Sequence, residues 1–209
     1  MPIIKKIKLK EGIIGLWLLS ESTDDFNGLI PENSSDKQLY DRITFEKRKV
    51  EFLSTRALLA GLLGHYPEIR YQSDGRPYLP EEKWELSISH SRTMVAVILH
   101  QNPVGIDVEI EGRDIKNIAG KFMSTDELNN ISGSPEFDRF LLLHWCAKEA
   151  VFKYTKHEGI NFRSQICIEQ FDFSQRGQIT AILKKENQEK LELFYIFCEN
   201  NAIVWCYQS

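Results

Sequence analysis

Two carboxylates placed two residues apart in an extended segment can grip a metal ion, and the stretch VGIDVEI, residues 104–110, holds such a pair. Alternate side chains of a strand share a face, so Asp107 and Glu109 point one way and Ile106, Val108 and Ile110 the other. Oxygens so close together suit Mg²⁺, a hard cation that keeps several waters and often shares a phosphate with its substrate. The same alternation also describes a strand whose polar face simply meets water. A third carboxylate stands in HWCAKEAVFKY, residues 144–154. At about 100° per residue, Leu142, Trp145, Glu149 and Phe152 fall on one side of a helix, which puts a glutamate among core-facing residues. Burying it is costly unless it is paired or metal-bound. An ordinary i,i+4 pair with Lys153, worth a few tenths of a kcal/mol, accounts for the lysine. It does not account for Trp145 and Phe152 beside it.

Cations for phosphate oxygens are available in Arg48, Arg56, Arg76, Lys148 and Lys153, although each taken singly also reads as a solvated charge. In SISHSRT, His90 lies between two serines, so Ser89, His90 and Ser91 could donate hydrogen bonds to a phosphate. A serine hydrolase is a poorer reading, because no GxSxG elbow is present and nothing marks an acid that would orient His90.

The elements that must carry these residues follow from periodicity and turn signals. Residues 13–20 read as a strand and SESTDDFNGLIPENSSD, residues 20–36, as a polar linker. Residues 41–64 have helical periodicity and end at Gly64, a plausible C-cap. WELSIS, TMVAVILH and NPVGIDVEIEG read as strands, 114–123 and 125–131 as two short helices, and 135–156 as one long helix. GQITAILKK, LELFYIFCE and NAIVWCYQ close the chain as strands. The pattern predicts an α+β protein of two lobes, 1–103 and 104–209. With 209 residues, 42% hydrophobic and 27% charged, the composition is that of a folded globular chain. A net charge of −4 argues against a broad basic surface for nucleic acid. Cys146, Cys167, Cys198 and Cys206 form no CxxC pair and suit a reducing compartment. No stretch reaches the length of a membrane span, and the N-terminal apolar run reads as a strand rather than a leader, so the expected location is the cytoplasm.

VGIDVEI followed by HWCAKEAVFK resembles the paired signature of the Sfp-type 4′-phosphopantetheinyl transferases: a (V/I)G(I/V)D-x-E strand, then an aromatic-(S/C/T)-x-K-E-(A/S) helix that ends in a lysine. From Asp107 to Glu149 the separation is 149 − 107 = 42 residues. STRALLAGLL, DGRPYL, SISHS and AGKFMSTDEL are similar to further stretches of that family. The resemblance implies two similar lobes related by a pseudo-twofold axis in a monomer, with the active site in the cleft between them. It implies transfer of the phosphopantetheine arm of coenzyme A to a serine of an acyl or peptidyl carrier protein, releasing adenosine 3′,5′-bisphosphate. Asp107, Glu109 and Glu149 would then bind Mg²⁺, or Mn²⁺, against the pyrophosphate. Glu149 would be the candidate base for the carrier serine, and Lys153 would meet the transferred phosphate. Arg56 and His90 would take the 3′-phosphate, Arg76 and Ser89 would line the nucleotide pocket, and Arg48 and Lys148 would assist in binding coenzyme A. The sequence departs from the family at Arg76, where a lysine is usual, and in its negative charge, since carrier proteins are themselves acidic. Docking would then use apolar contacts or a local patch near Lys116, Lys121 and Phe122, with Glu111 facing solvent. Two other readings use the same residues: a Mg²⁺-dependent phosphohydrolase, and a non-catalytic protein that binds coenzyme A or a carrier.

Overall fold

The computed structural model describes residues 3–156, 159–185 and 187–208. The chain divides into two compact units, Met1–Asn102 and Pro103–Ser209.

In the first unit, β1 (Ile3–Leu9) and β2 (Gly12–Leu18) form a hairpin. Short helix α1 (Ser35–Asp41) and long helix α2 (Glu46–Leu63) follow. The two-residue strands β3 (Arg70–Tyr71) and β4 (Pro77–Tyr78) pair with each other, and β5 (Glu85–His90) and β6 (Met94–His100) complete the unit. The main sheet is antiparallel in the order β1-β2-β6-β5. Every residue of β6 is buried, as its unbroken apolar run requires of a central strand. Lysines at 5, 6 and 8 lie exposed on edge strand β1, where they discourage pairing with another chain. Helix α2 packs closely on β2 because Gly15 has no side chain: a Cβ there would lie 2.7 Å from Leu58 Cδ1. Gly64 ends α2 at φ +85°, and its N–H reaches the Ala60 carbonyl at 2.8 Å.

Two expectations change here. The strand begins earlier than residue 13 and has a partner in β1, whose alternating lysines hid it. The segment read as a linker holds a 3₁₀ turn, Thr23–Phe26, and helix α1, capped by the Ser34 hydroxyl on the Lys37 N–H. Phe26 and Asp36 of that segment are buried, so it forms part of the packed unit.

In the second unit, β7 (Val104–Ile110) is followed by a 3₁₀ turn at Lys116–Ile118 and helices α3 (Ala119–Phe122) and α4 (Thr125–Ile131). Then come α5 (Phe137–Thr155), α6 (Phe162–Gln165), β8 (Ile166–Ile168), β9 (Arg176–Leu183), β10 (Glu189–Cys198) and β11 (Asn201–Tyr207). The sheet is antiparallel in the order β7-β11-β10-β9-β8, and α5 lies across β7 and β11. Both units join helices to an antiparallel sheet, as the α+β reading expected. Among the described residues no helix is long and apolar enough to cross a membrane.

Helix α5 is buried around most of its circumference, by the sheet on one side and by α3 and α6 on others. The stripe Leu142–Trp145–Glu149–Phe152 therefore does not define its core face. Leu142 is buried, Trp145 and Glu149 are half-buried, and Phe152 is 36% exposed. The charged residue at the centre is its neighbour Lys148, which is wholly buried.

Candidate active site

The strand period puts Gly105, Asp107 and Glu109 on one face of β7, and that face meets α5. Gly105 makes the approach possible, because a Cβ at that position would run into the Ala150 carbonyl and lie 2.8 Å from the Tyr154 nitrogen. With the two backbones so close, residues 149 and 153 of the helix come alongside 107 of the strand. Lys153 Nζ donates to Asp107 Oδ1 at 2.8 Å and to the Ile106 carbonyl at 3.0 Å. Asp107 is 4% exposed, so this ion pair is well shielded from water.

Glu109 accepts a hydrogen bond from Trp145 Nε1 at 3.2 Å and is ion-paired with the guanidinium of Arg113. Glu149 is raised above the usual carboxylate range, first by burial and then by the negative charge of Asp107; Lys153 and Arg113 work in the opposite direction. Cys146, fully buried, is likewise pushed up by burial and by Asp107, so it stays a thiol.

The three acids are thus gathered around one crossing, but their metal-binding geometry is not formed. Among the described residues no three His, Cys, Asp or Glu side chains converge closely enough to hold an ion. Asp107 and Glu109 are instead each neutralised by a cation of the chain itself. The donor set still suits Mg²⁺, being carboxylate oxygen throughout.

Lys148 stands one residue from Glu149, about 100° round the helix. Its ammonium reaches Glu127 Oε2 at 2.9 Å and the carbonyls of Phe162 and Ile166 at 3.1 and 2.7 Å. Glu127 also accepts the N–H groups of Ser124 and Ile168 at 2.7 and 2.8 Å, closing the capping box of α4. The structure gives Lys148 a place in the framework that ties α4, α6 and β8 to α5. Glu111 pairs with Arg139 at 2.6 Å and is half-buried, where the sequence suggested a solvent-facing acid.

The first unit holds a cavity of about 540 Å³ whose lining includes Arg42, Phe45, Arg48, Phe52, Arg56 and His90. Arg48 Nη1 lies 2.9 Å from Glu51 Oε2 and 3.1 Å from His90 Nε2. Arg56 is 1% exposed and forks onto Asp36 at 3.0 and 2.6 Å, and Tyr66 donates to the same carboxylate at 2.7 Å. Burial alone would lower the guanidinium's pKa; Asp36 and Tyr71 together outweigh it and hold Arg56 above its ordinary value. Arg76 is bound to Asp74 within its own loop, and Ser89 is buried on β5 opposite Ala96. Of the cations expected to meet phosphate, Arg48 and His90 share the cavity with Arg56, whose fork is already engaged. Arg42 was missed; the basic run DRITFEKR held it, but only the break between α1 and α2 turns it toward the cavity.

Residues 103–206, nearly all of the second unit, match the family model of the 4′-phosphopantetheinyl transferase superfamily. Through this unit the chain belongs to that superfamily. Among the superfamily's curated members, two proteins described as 4′-phosphopantetheinyl transferase AcpT, from Escherichia coli O157:H7 and Escherichia coli strain K12, are each 29% identical to it over 113 residues. That stretch is 51% of this chain and 57% of each relative, so the chain spans little more than half the length of the curated superfamily members it matches. The whole acid cluster, from Gly105 through Arg113 to Lys153, lies inside the superfamily match, and the basic cavity of the first unit lies outside it.

Proposed function

We propose that this protein is an Sfp-type enzyme that transfers the 4′-phosphopantetheine arm of coenzyme A to a serine of an acyl or peptidyl carrier protein. Adenosine 3′,5′-bisphosphate leaves. The observation that carries the reading is the Gly105–Ala150 crossing, which sets Glu149 and Lys153 of the helix against Asp107 of the strand. Superfamily membership supports it.

In this reading Asp107, Glu109 and Glu149 would hold Mg²⁺, or Mn²⁺, which supplies positive charge to the pyrophosphate oxygens. Lys153 is within reach of the same oxygens once it shares its ammonium between Asp107 and the phosphate. Glu149 would accept the proton of the carrier serine. The serine oxygen bonds to the phosphorus that bears the pantetheine arm, and the bond from that phosphorus to the bridging oxygen breaks. The electron pair leaves with adenosine 3′,5′-bisphosphate. Arg48 and His90 would meet a phosphate of the nucleotide portion. Scattered cysteines without a CxxC pair fit a protein of the cytoplasm.

The test is intact-protein mass spectrometry of apo carrier proteins incubated with coenzyme A, Mg²⁺ and this protein. A gain of one phosphopantetheine arm, lost with EDTA, is expected. No gain across fatty-acid, polyketide and peptide-synthetase carriers would sink the reading.

A further inference from the structure

The turn after β7 brings a cation back onto the acid cluster. Gly112, at φ +80°, lets the chain reverse, and the Arg113 N–H bonds the Ile110 carbonyl at 3.3 Å. Arg113 then lies beside Glu109, four residues back but across a turn rather than along a helix. Its guanidinium engages Glu109 Oε1, the same oxygen that takes the Trp145 indole N–H, and its Cζ sits 5.4 Å from the Trp145 ring centroid. Its positive charge also reaches Glu149. Lys153, the other cation of the cluster, is held down by a backbone carbonyl and only a quarter exposed. Arg113 is 39% exposed and rides on an exposed turn. Arg113 also lines a cavity of about 260 Å³ with Glu111, Asp114 and Asp138, of which Glu111 and Asp138 are already paired with Arg139 and Lys116.

We infer that Arg113 is a resident counter-ion that blocks the metal position at Glu109 and must leave it before a divalent cation can bind there. This rests on the proposed metal-dependent reading of the cluster. A guanidinium and a divalent cation repel each other and compete for the charge of one carboxylate, of which the guanidinium already holds Oε1. Metal binding alone then has to displace Arg113 without return. When a pyrophosphate arrives with the metal, the released guanidinium gains phosphate oxygens as new acceptors, so metal and phosphate ligand bind cooperatively through this one side chain.

Mn²⁺ binding followed by electron paramagnetic resonance, with and without coenzyme A, tests this in wild type, Arg113→Gln and Glu149→Gln. In Arg113→Gln, Mn²⁺ affinity without coenzyme A should tighten by about three- to tenfold, the worth of one partly exposed charge-assisted contact. The gain in Mn²⁺ affinity on adding coenzyme A should shrink. Equal or weaker Mn²⁺ binding by Arg113→Gln than by wild type overturns the inference alone, provided Glu149→Gln binds less than either. No Mn²⁺ binding in any of the three, with or without coenzyme A, overturns it together with the metal-dependent reading.

Discussion

Gly105 of β7 and Ala150 of α5 meet with no side chain between their backbones, and the site is built on that contact. The strand supplies acids two and four residues on from the glycine. The helix supplies Glu149 one residue before the alanine and Lys153 three after it. A methyl group at 105 has no room unless the helix lifts.

Gly105→Ala should therefore damage stability and chemistry together. Relieving an overpacked contact by moving a helix costs about 1–3 kcal/mol, and the displaced Glu149 and Lys153 lose their register with Asp107. Chemical denaturation should show the loss in stability. Transfer to an apo carrier should fall by more than the folded fraction explains. A variant of normal activity would mean the close crossing does not position the acids.

Glu149→Gln should separate activity from stability. Burial and Asp107 raise this carboxyl, so the folded state holds its proton to higher pH than the unfolded chain does. Its ionisation thus costs stability as pH rises from the ordinary glutamate pKa through the folded one. Glutamine removes that cost. The variant should be as stable as wild type at pH 7 or more so, and its stability should decline less between pH 4.5 and neutrality. Transfer should fall by about 10²-fold or more, as expected for loss of a general base. Thermal melts across pH, run beside the carrier assay, check both halves.

Lys148→Ala should behave in the reverse way. It leaves Glu127 buried with one charge uncompensated, a loss of about 3–5 kcal/mol. The carrier assay on the folded fraction should change little, because the ammonium is enclosed by Glu127 and two carbonyls. Lys148→Met combined with Glu127→Gln should recover part of the stability, since it removes both charges. If coenzyme A affinity fell in Lys148→Ala at full folding, the residue would be a ligand contact after all.

His144 should make the second unit acid-sensitive. Its Nδ1–H donates to the Phe140 carbonyl at 2.8 Å, and burial lowers its pKa from 6.5 to about 4. The unfolded chain takes up the proton first as pH falls. Stability is therefore present above pH 6.5 and is lost progressively between 6.5 and 4, on the order of 3 kcal/mol in full. His144→Gln should flatten that limb in urea titrations at pH 4.5, 5.5 and 7. An unchanged slope would put the acid sensitivity elsewhere.

The sequence by itself determined the local elements and the chemistry-bearing residues. The strand at 104–110 and the helix at 135–156 were legible from their length and residue types, although both are buried on more than one side. It also held the family signature, whose two halves at 42 residues' separation matched a superfamily that residues 103–206 belong to. Short pieces escaped it: β8 has three residues, too few for a period to emerge, and α1 begins inside a run of turn formers that reads as a linker. Which of two adjacent charged residues on α5 would be buried escaped it too. Lys148 and Glu149 are about 100° apart on the helix, and only the packing of α4, α6 and β8 encloses one and leaves the other at the rim. The partners were decided in the same way. Asp36 on Arg56, Arg113 on Glu109 and Lys153 on Asp107 are contacts across 20, 4 and 46 positions. Charge in a sequence says that a counter-ion is needed, and the fold alone chooses which one is near enough to answer.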